Sequence, residues 1–161
     1  MINLKNRKID IDQEYYECVK DLINNSKIQE MKEYMHHGDV TCLEHCISVS
    51  IMNYKLCKFL GMDYRSCARA GILHDFFLYD WHKRKAQKFF KKHGFLHSRV
   101  SLKNAKRYFI LNDIEEDMIL KHMWPLNIDL PKYKETYVII ITDKIVCISE
   151  IIKSIKFLNR V

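Results

Sequence analysis

Apolar residues recur every three or four positions through most of the chain, and no stretch alternates convincingly between apolar and polar. That period is helical, so the pattern predicts helix after helix. Tyr16, Val19, Leu22 and Ile23 share one face of a helix over 13–25, with Asp10 or Asp12 available as its cap. A short second helix over 27–36 stops at His37-Gly38. Thr41 and Glu44 then stand at capping-box spacing, where each side chain satisfies the other's backbone amide. They open a helix that runs to about Leu60 and ends at Gly61. Asp63 caps the next helix, which carries Cys67, Ala70 and Ile72 up to His74-Asp75.

Lysine-dense residues 82–93 predict another helix, interrupted at Gly94. One helix follows from about Arg99 to Leu111, and another opens at Asp113-x-x-Glu116 and ends before Pro125. The segment 124–132 holds both prolines and reads as a loop. A last helix runs from about Tyr133 to Leu158; its stretch 137–148 is apolar nearly all round, which predicts burial on most sides. The expectation is a single all-α domain over 1–161, a bundle of about six to eight helices.

Composition narrows this only a little. A chain of 161 residues with 48 % hydrophobic and 29 % charged residues suits one soluble globular domain with a sizeable core. Four glycines and two prolines are too few for the turns of a sandwich or barrel. No apolar run approaches the roughly 20 residues that span a bilayer, so no membrane association is expected. The basic start, Met1 to Lys8, has no apolar core of a secretory signal behind it, and a cytoplasmic location is expected. The six cysteines form no C-x-x-C pair and read as reduced, small apolar residues. A net charge of +7 suits an anionic partner such as a nucleotide, and equally a lysine-rich composition with no such meaning.

Histidine placement changes the picture. His45 lies one turn into its helix and shares a face with Val49, Met52 and Leu56. His74 and Asp75 end an apolar approach, Ala70-Gly71-Ile72-Leu73. His122 shares a face with Ile114 and Met118. Asp143 sits inside Val138–Val146, the most apolar stretch of the chain, where a carboxylate is costly unless paired or bound to a metal. Each residue alone has an ordinary explanation: core histidines, a cap at Asp75, an ion pair of Asp143 with Arg69. Together, inward histidines and carboxylates on different helices suit a divalent metal such as Zn, Fe, Mn, Co or Ni. No H-E-x-x-H, P-loop, dinucleotide-binding or G-x-S-x-G pattern occurs.

The order His45…His74-Asp75…Asp143 resembles the H…HD…D signature of the HD-domain superfamily of metal-dependent phosphohydrolases, over roughly 36–150. Thr142-Asp143-Lys144 stands where that family often has Ala-Asp-Lys. The resemblance implies an all-α fold and, with His97 and His122 added, two metal ions. Asp75 would bridge them, with His45, His74 and Asp143 on one ion and His97 and His122 on the other. His93 rivals His97; a place at the start of a helix favours His97. The implied function is hydrolysis of a small phosphorylated compound, a nucleotide among the options, by metal-activated water. Asp75 and Lys144 are the candidate catalytic residues, the lysine reaching a phosphate oxygen. Arg69, Trp124 and His37 are the remaining candidates near substrate. Phe76–Trp81 departs from the polar segment of the dinucleoside-polyphosphate hydrolases this chain otherwise resembles, so that substrate does not carry over. Two other readings stay open: a di-iron HD-fold oxygenase, and a basic helical module binding nucleic acid, which buried aspartates disfavour.

Overall fold

The computed structural model describes residues 2–4, 7–9, 12–37, 39–79 and 86–158, with side chains described at 12–36, 39–79 and 96–155. The helical period is realised. In chain order come hairpin β1 (Ile2–Leu4) and β2 (Arg7–Ile9), helix α1 (Gln13–Ile23), α2 (Ser26–Gln29), a 3-10 turn (Glu30–Glu33), and hairpin β3 (Met35–His37) and β4 (Val40–Thr41). Then follow α3 (Cys42–Phe59), α4 (Tyr64–Leu73), α5 (Ala86–Tyr108), α6 (Asp113–Lys121) and α7 (Lys134–Leu158). No helix of the described residues is long and apolar enough to cross a membrane.

Local chemistry sets most boundaries. Asp12, not Asp10, caps α1 by accepting from the Glu14 amide. Thr41 and Glu44 close the expected capping box on α3. Gly61 follows that helix at φ +64°, a left-handed conformation that glycine adopts without penalty. Asp63 caps α4. The α6 box is Asn112 with Glu115, one residue earlier than expected, because asparagine accepts from the Glu115 amide while the Glu115 side chain returns to the Asn112 amide.

α3 is the axis of the core. It packs against α4 on one side and α7 on another, and α6 joins α4, α5 and α7. Gly71 lets α4 approach α3: a Cβ there would stand 2.5 Å from the Ser50 Cα. Ser50 fastens the contact, donating to the Ala68 carbonyl at 2.6 Å and accepting from the Tyr15 hydroxyl at 2.9 Å.

Four expectations need correction. Residues 27–36 are not one helix: at Tyr34 the backbone turns extended, its carbonyl accepts from the Cys42 amide at 2.7 Å, and β3 pairs with β4. Strands therefore exist, as two short hairpins. Gly94 does not interrupt α5, which runs through it; one interior glycine costs only about 1 kcal/mol, less than a long helix recovers. Residues 80–85 lie outside the described residues. Finally, α7 is not buried on most sides. Val138, Ile139, Thr142, Val146 and Glu150 face the core, but Tyr137, Ile141, Ile145, Ile148, Ile152 and Ile155 are each 44–58 % exposed. Apolar character all round marks two faces that avoid water; the described residues cover only one of them.

Candidate metal centre

The ends of two helices set two of the histidines. His74 closes α4 and His122 closes α6, and each Nδ1 lies 2.9 Å from a backbone carbonyl three residues back, Gly71 and Ile119 respectively. A carbonyl only accepts, so each Nδ1 carries the proton and each Nε2 presents its lone pair inward. Asp75 follows His74 directly, and its loop is fixed by the Phe77 amide donating to the Asp75 carbonyl at 2.8 Å and by Asn104 donating to the Phe76 carbonyl at 2.8 Å. His45 is presented by the first turn of α3, His97 from within α5, and Asp143 from α7.

These six residues converge. The donor atoms of His45, His74 and Asp143 all lie within 4.8 Å of one another, and so do those of Asp75, His97 and His122. The Asp75 carboxylate links the groups: Oδ2 is 3.7 Å from His74 Nε2, while Oδ1 is 3.4 Å from His97 Nε2 and 3.6 Å from His122 Nε2. His97 Nε2 and His122 Nε2 are 2.9 Å apart. Two ligands bound at about 2.1 Å and at right angles stand about 3 Å apart, so such separations suit a shared ion. His74 Nε2 and Asp75 Oδ1 are buried and have no hydrogen-bond partner among the described residues. Buried polar atoms normally find partners. An ion in each group would supply them, and the donor set of neutral imidazoles and carboxylates fits a divalent transition metal.

Without an ion, opposite charges pair inside the cluster: against its burial, Asp75 and Asp143 raise His74, as Asp143 and Glu150 raise His45. Burial works against the charged form of His45, but its hydrogen bonds to Asp143 at 3.1 Å and Glu150 at 3.0 Å overcome it and hold the group up at about 10. Burial likewise opposes Asp75 and Asp143, yet the neighbouring imidazoles keep both carboxyls well below the ordinary range. Burial and the adjacent His97 and His74 push His122 down to about 3, so it stays a neutral ligand.

Two members of the cluster have no counterpart in the sequence expectations. His36, on β3, is buried and donates from Nε2 to Asp75 Oδ2 at 3.2 Å. Glu150, on α7, receives His45 Nδ1. Spacing carried a signal for Glu150: it lies seven residues after Asp143, on the same helical face. For His36 the only signal was the adjacent pair His36-His37. The backbone of His37 lies in β3, and its side chain lies outside the described residues, as does that of His93. Donor atoms of His36, His45 and Cys147 also fall within 4.8 Å of one another. However, the His36 and His45 rings stack, with centroids 3.8 Å apart and planes at 16°. Imidazole lone pairs lie in the ring plane, so two stacked rings cannot both aim at one nearby ion.

The remaining expected residues are placed elsewhere. His97 holds its place in the cluster from mid-helix, not from a helix start. Arg69 does not meet Asp143: its guanidinium binds Asp21 at 2.7 Å and Glu115 at 2.7 Å. Asp75 is no cap, because α4 ends at His74 and the Asp75 carboxylate turns to the histidines. Trp124 precedes a cis peptide bond to Pro125 and packs edge-on against Tyr137. Lys144 is exposed on α7, about 100° around the helix from Asp143. No family model matches the chain, and comparison with curated proteins and with solved structures finds no relative.

Proposed function

We propose that the protein is a metal-dependent phosphohydrolase of the HD type, which holds two divalent transition ions and hydrolyses a small phosphorylated compound. The observation that carries this reading is the seat of Asp75, whose two oxygens face two separate histidine-bearing groups. Asp75 would serve both positions, and divalent ions held there would activate a water and stabilise the charge of a reacting phosphoryl group. His45, His74 and Asp143 would hold one ion; His97 and His122 would hold the other. Glu150 fixes the ring of His45, and His36 fixes Asp75. No side-chain nucleophile is needed: burial and the nearby carboxylates raise the Cys147 thiol, so no thiolate stands ready. Nitrogen-rich donors favour Fe, Mn, Co, Ni or Zn over Mg or Ca.

The test is elemental analysis of protein made with iron, manganese and zinc available, then desalted near pH 7.5, together with a screen of nucleotides and other phosphorylated metabolites. About two ions per chain and phosphate release are expected. Asp75→Ala should lose both ions and all hydrolysis while keeping its helical circular dichroism. A near-zero metal content in the parent protein, or a full complement in Asp75→Ala, overturns the reading. Oxygen consumption by the iron-loaded protein without phosphate release would assign the same centre to an oxygenase.

A further inference from the structure

The outer face of α7 carries a row of half-exposed apolar residues. Tyr137, Ile141, Ile148, Ile151 and Ile155 follow one another at steps of four, seven, three and four residues, and Lys144 fills the one vacant place of that three-four rhythm. Ile145 and Ile152 widen the seam on one side. Its residues are 43–58 % exposed, with Trp124 edge-on against Tyr137 at one end. Ridges spaced three and four residues apart fit between the ridges of a second helix, as knobs into holes. The seam runs from Tyr137 to Ile155, about 27 Å of helix at 1.5 Å per residue.

We infer that this face pairs two copies of the chain, α7 against α7, in antiparallel orientation. Half-exposed side chains along the seam hold roughly 600 Å² of apolar surface per copy, and twice that reaches the lower end of specific interfaces. A two-fold contact needs only one self-complementary surface, which a repeating isoleucine seam supplies. Lys144 selects the orientation. In a parallel pair it would meet its own equivalent inside the seam. In an antiparallel pair centred midway between Tyr137 and Ile155, Lys144 of one copy meets Ile148 of the other. A lipid surface is a poorer occupant, because Lys144 interrupts the apolar face at its middle.

Sedimentation of the full chain at micromolar concentration tests this. The expected mass is twice the 19.4 kDa of one chain. Added salt should tighten the pair, since each copy carries a net charge of +7. Ile148→Lys places two lysines against each other and should halve the mass with unchanged helical content. Ile148→Glu faces Lys144 of the second copy and should keep the double mass. A monomeric parent protein overturns the inference, whether or not it co-sediments with phosphatidylserine vesicles. So does Ile148→Lys retaining the double mass, and so does an equal loss in the lysine and glutamate variants, which would remove the antiparallel arrangement.

Discussion

Glu150 reaches the centre chiefly through His45, with His36 Nδ1 farther off at 3.9 Å. Its carboxylate receives Nδ1 at 3.0 Å, which points Nε2 at Asp143. Partners of this kind orient a ligand and raise its basicity, and losing one costs about 10–100-fold in metal affinity. Glu150→Leu should therefore weaken the ion of the His45, His74 and Asp143 group by about that factor, with Glu150→Gln, still able to accept, losing less. Chelator competition reads the affinities, and the visible spectrum of cobalt-loaded protein reports the changed ligand field. Unchanged affinity and spectrum in Glu150→Leu would make the contact incidental. Five cluster residues, His45, His74, Asp75, His122 and Asp143, were legible in the sequence because histidine and aspartate are conspicuous in apolar helical runs; His97 entered only through the family resemblance. His36 was not, since it enters the core from a three-residue strand formed only by pairing with β4. Arg69 was misread because apolar neighbours along its own helix hide the acidic partners supplied by α1 and α6.

Where α4 meets α3, the two backbones approach closely at Gly71 and Ser50. Gly71→Ala has no flexible side chain to displace: its Cβ would lie 2.5 Å from one backbone atom of Ser50 and 2.9 Å from another. The helices must separate, and overpacking of this kind costs about 1–3 kcal/mol. Loss of the Ser50 hydrogen bonds to Ala68 and Tyr15 places the change at the upper end. The melting temperature should fall by about 5–10 °C for a chain of this size. A melting curve indistinguishable from the parent would show that the two helices part without cost. Helix identity followed from periodicity and capping; which faces are covered did not. Isoleucine reads the same on a buried face and on a seam, so the exposed side of α7 is visible only in three dimensions.

Over the whole molecule, the buried charges make stability depend on pH and on metal together. In metal-free protein His45 is held at about 10, above its ordinary 6.5. Its contribution is complete below 6.5 and disappears as pH rises through about 10. Asp75 and Asp143 are depressed below 3.8, so their contributions are present above that value and disappear as pH falls. His122 is held at about 3, so it takes stability away as pH falls below its ordinary 6.5. Stripped protein should be most stable near pH 6.5 and should lose stability on both sides. Bound metal needs neutral imidazole, so the loaded protein should gain stability as pH rises through the histidine range. Melting temperatures from pH 4 to 10, with and without chelator, would check both trends; curves that run parallel would count against a metal at these residues.

The centre also fixes an order of events. Its members are far apart in sequence: His45 and Asp143, hydrogen-bonded to each other, are 98 residues apart. Closing so long a loop costs entropy before any contact rewards it. The short-range pair, α3 with α4, carries no such cost and forms the natural start. During synthesis α7 leaves the ribosome after α3 and α4, so His45 and His74 would wait in place for Asp143. A cation captured there would arrive after the chain has already condensed. It would act as a latch rather than a seed, slowing the opening of the finished molecule and leaving the speed of its assembly almost untouched.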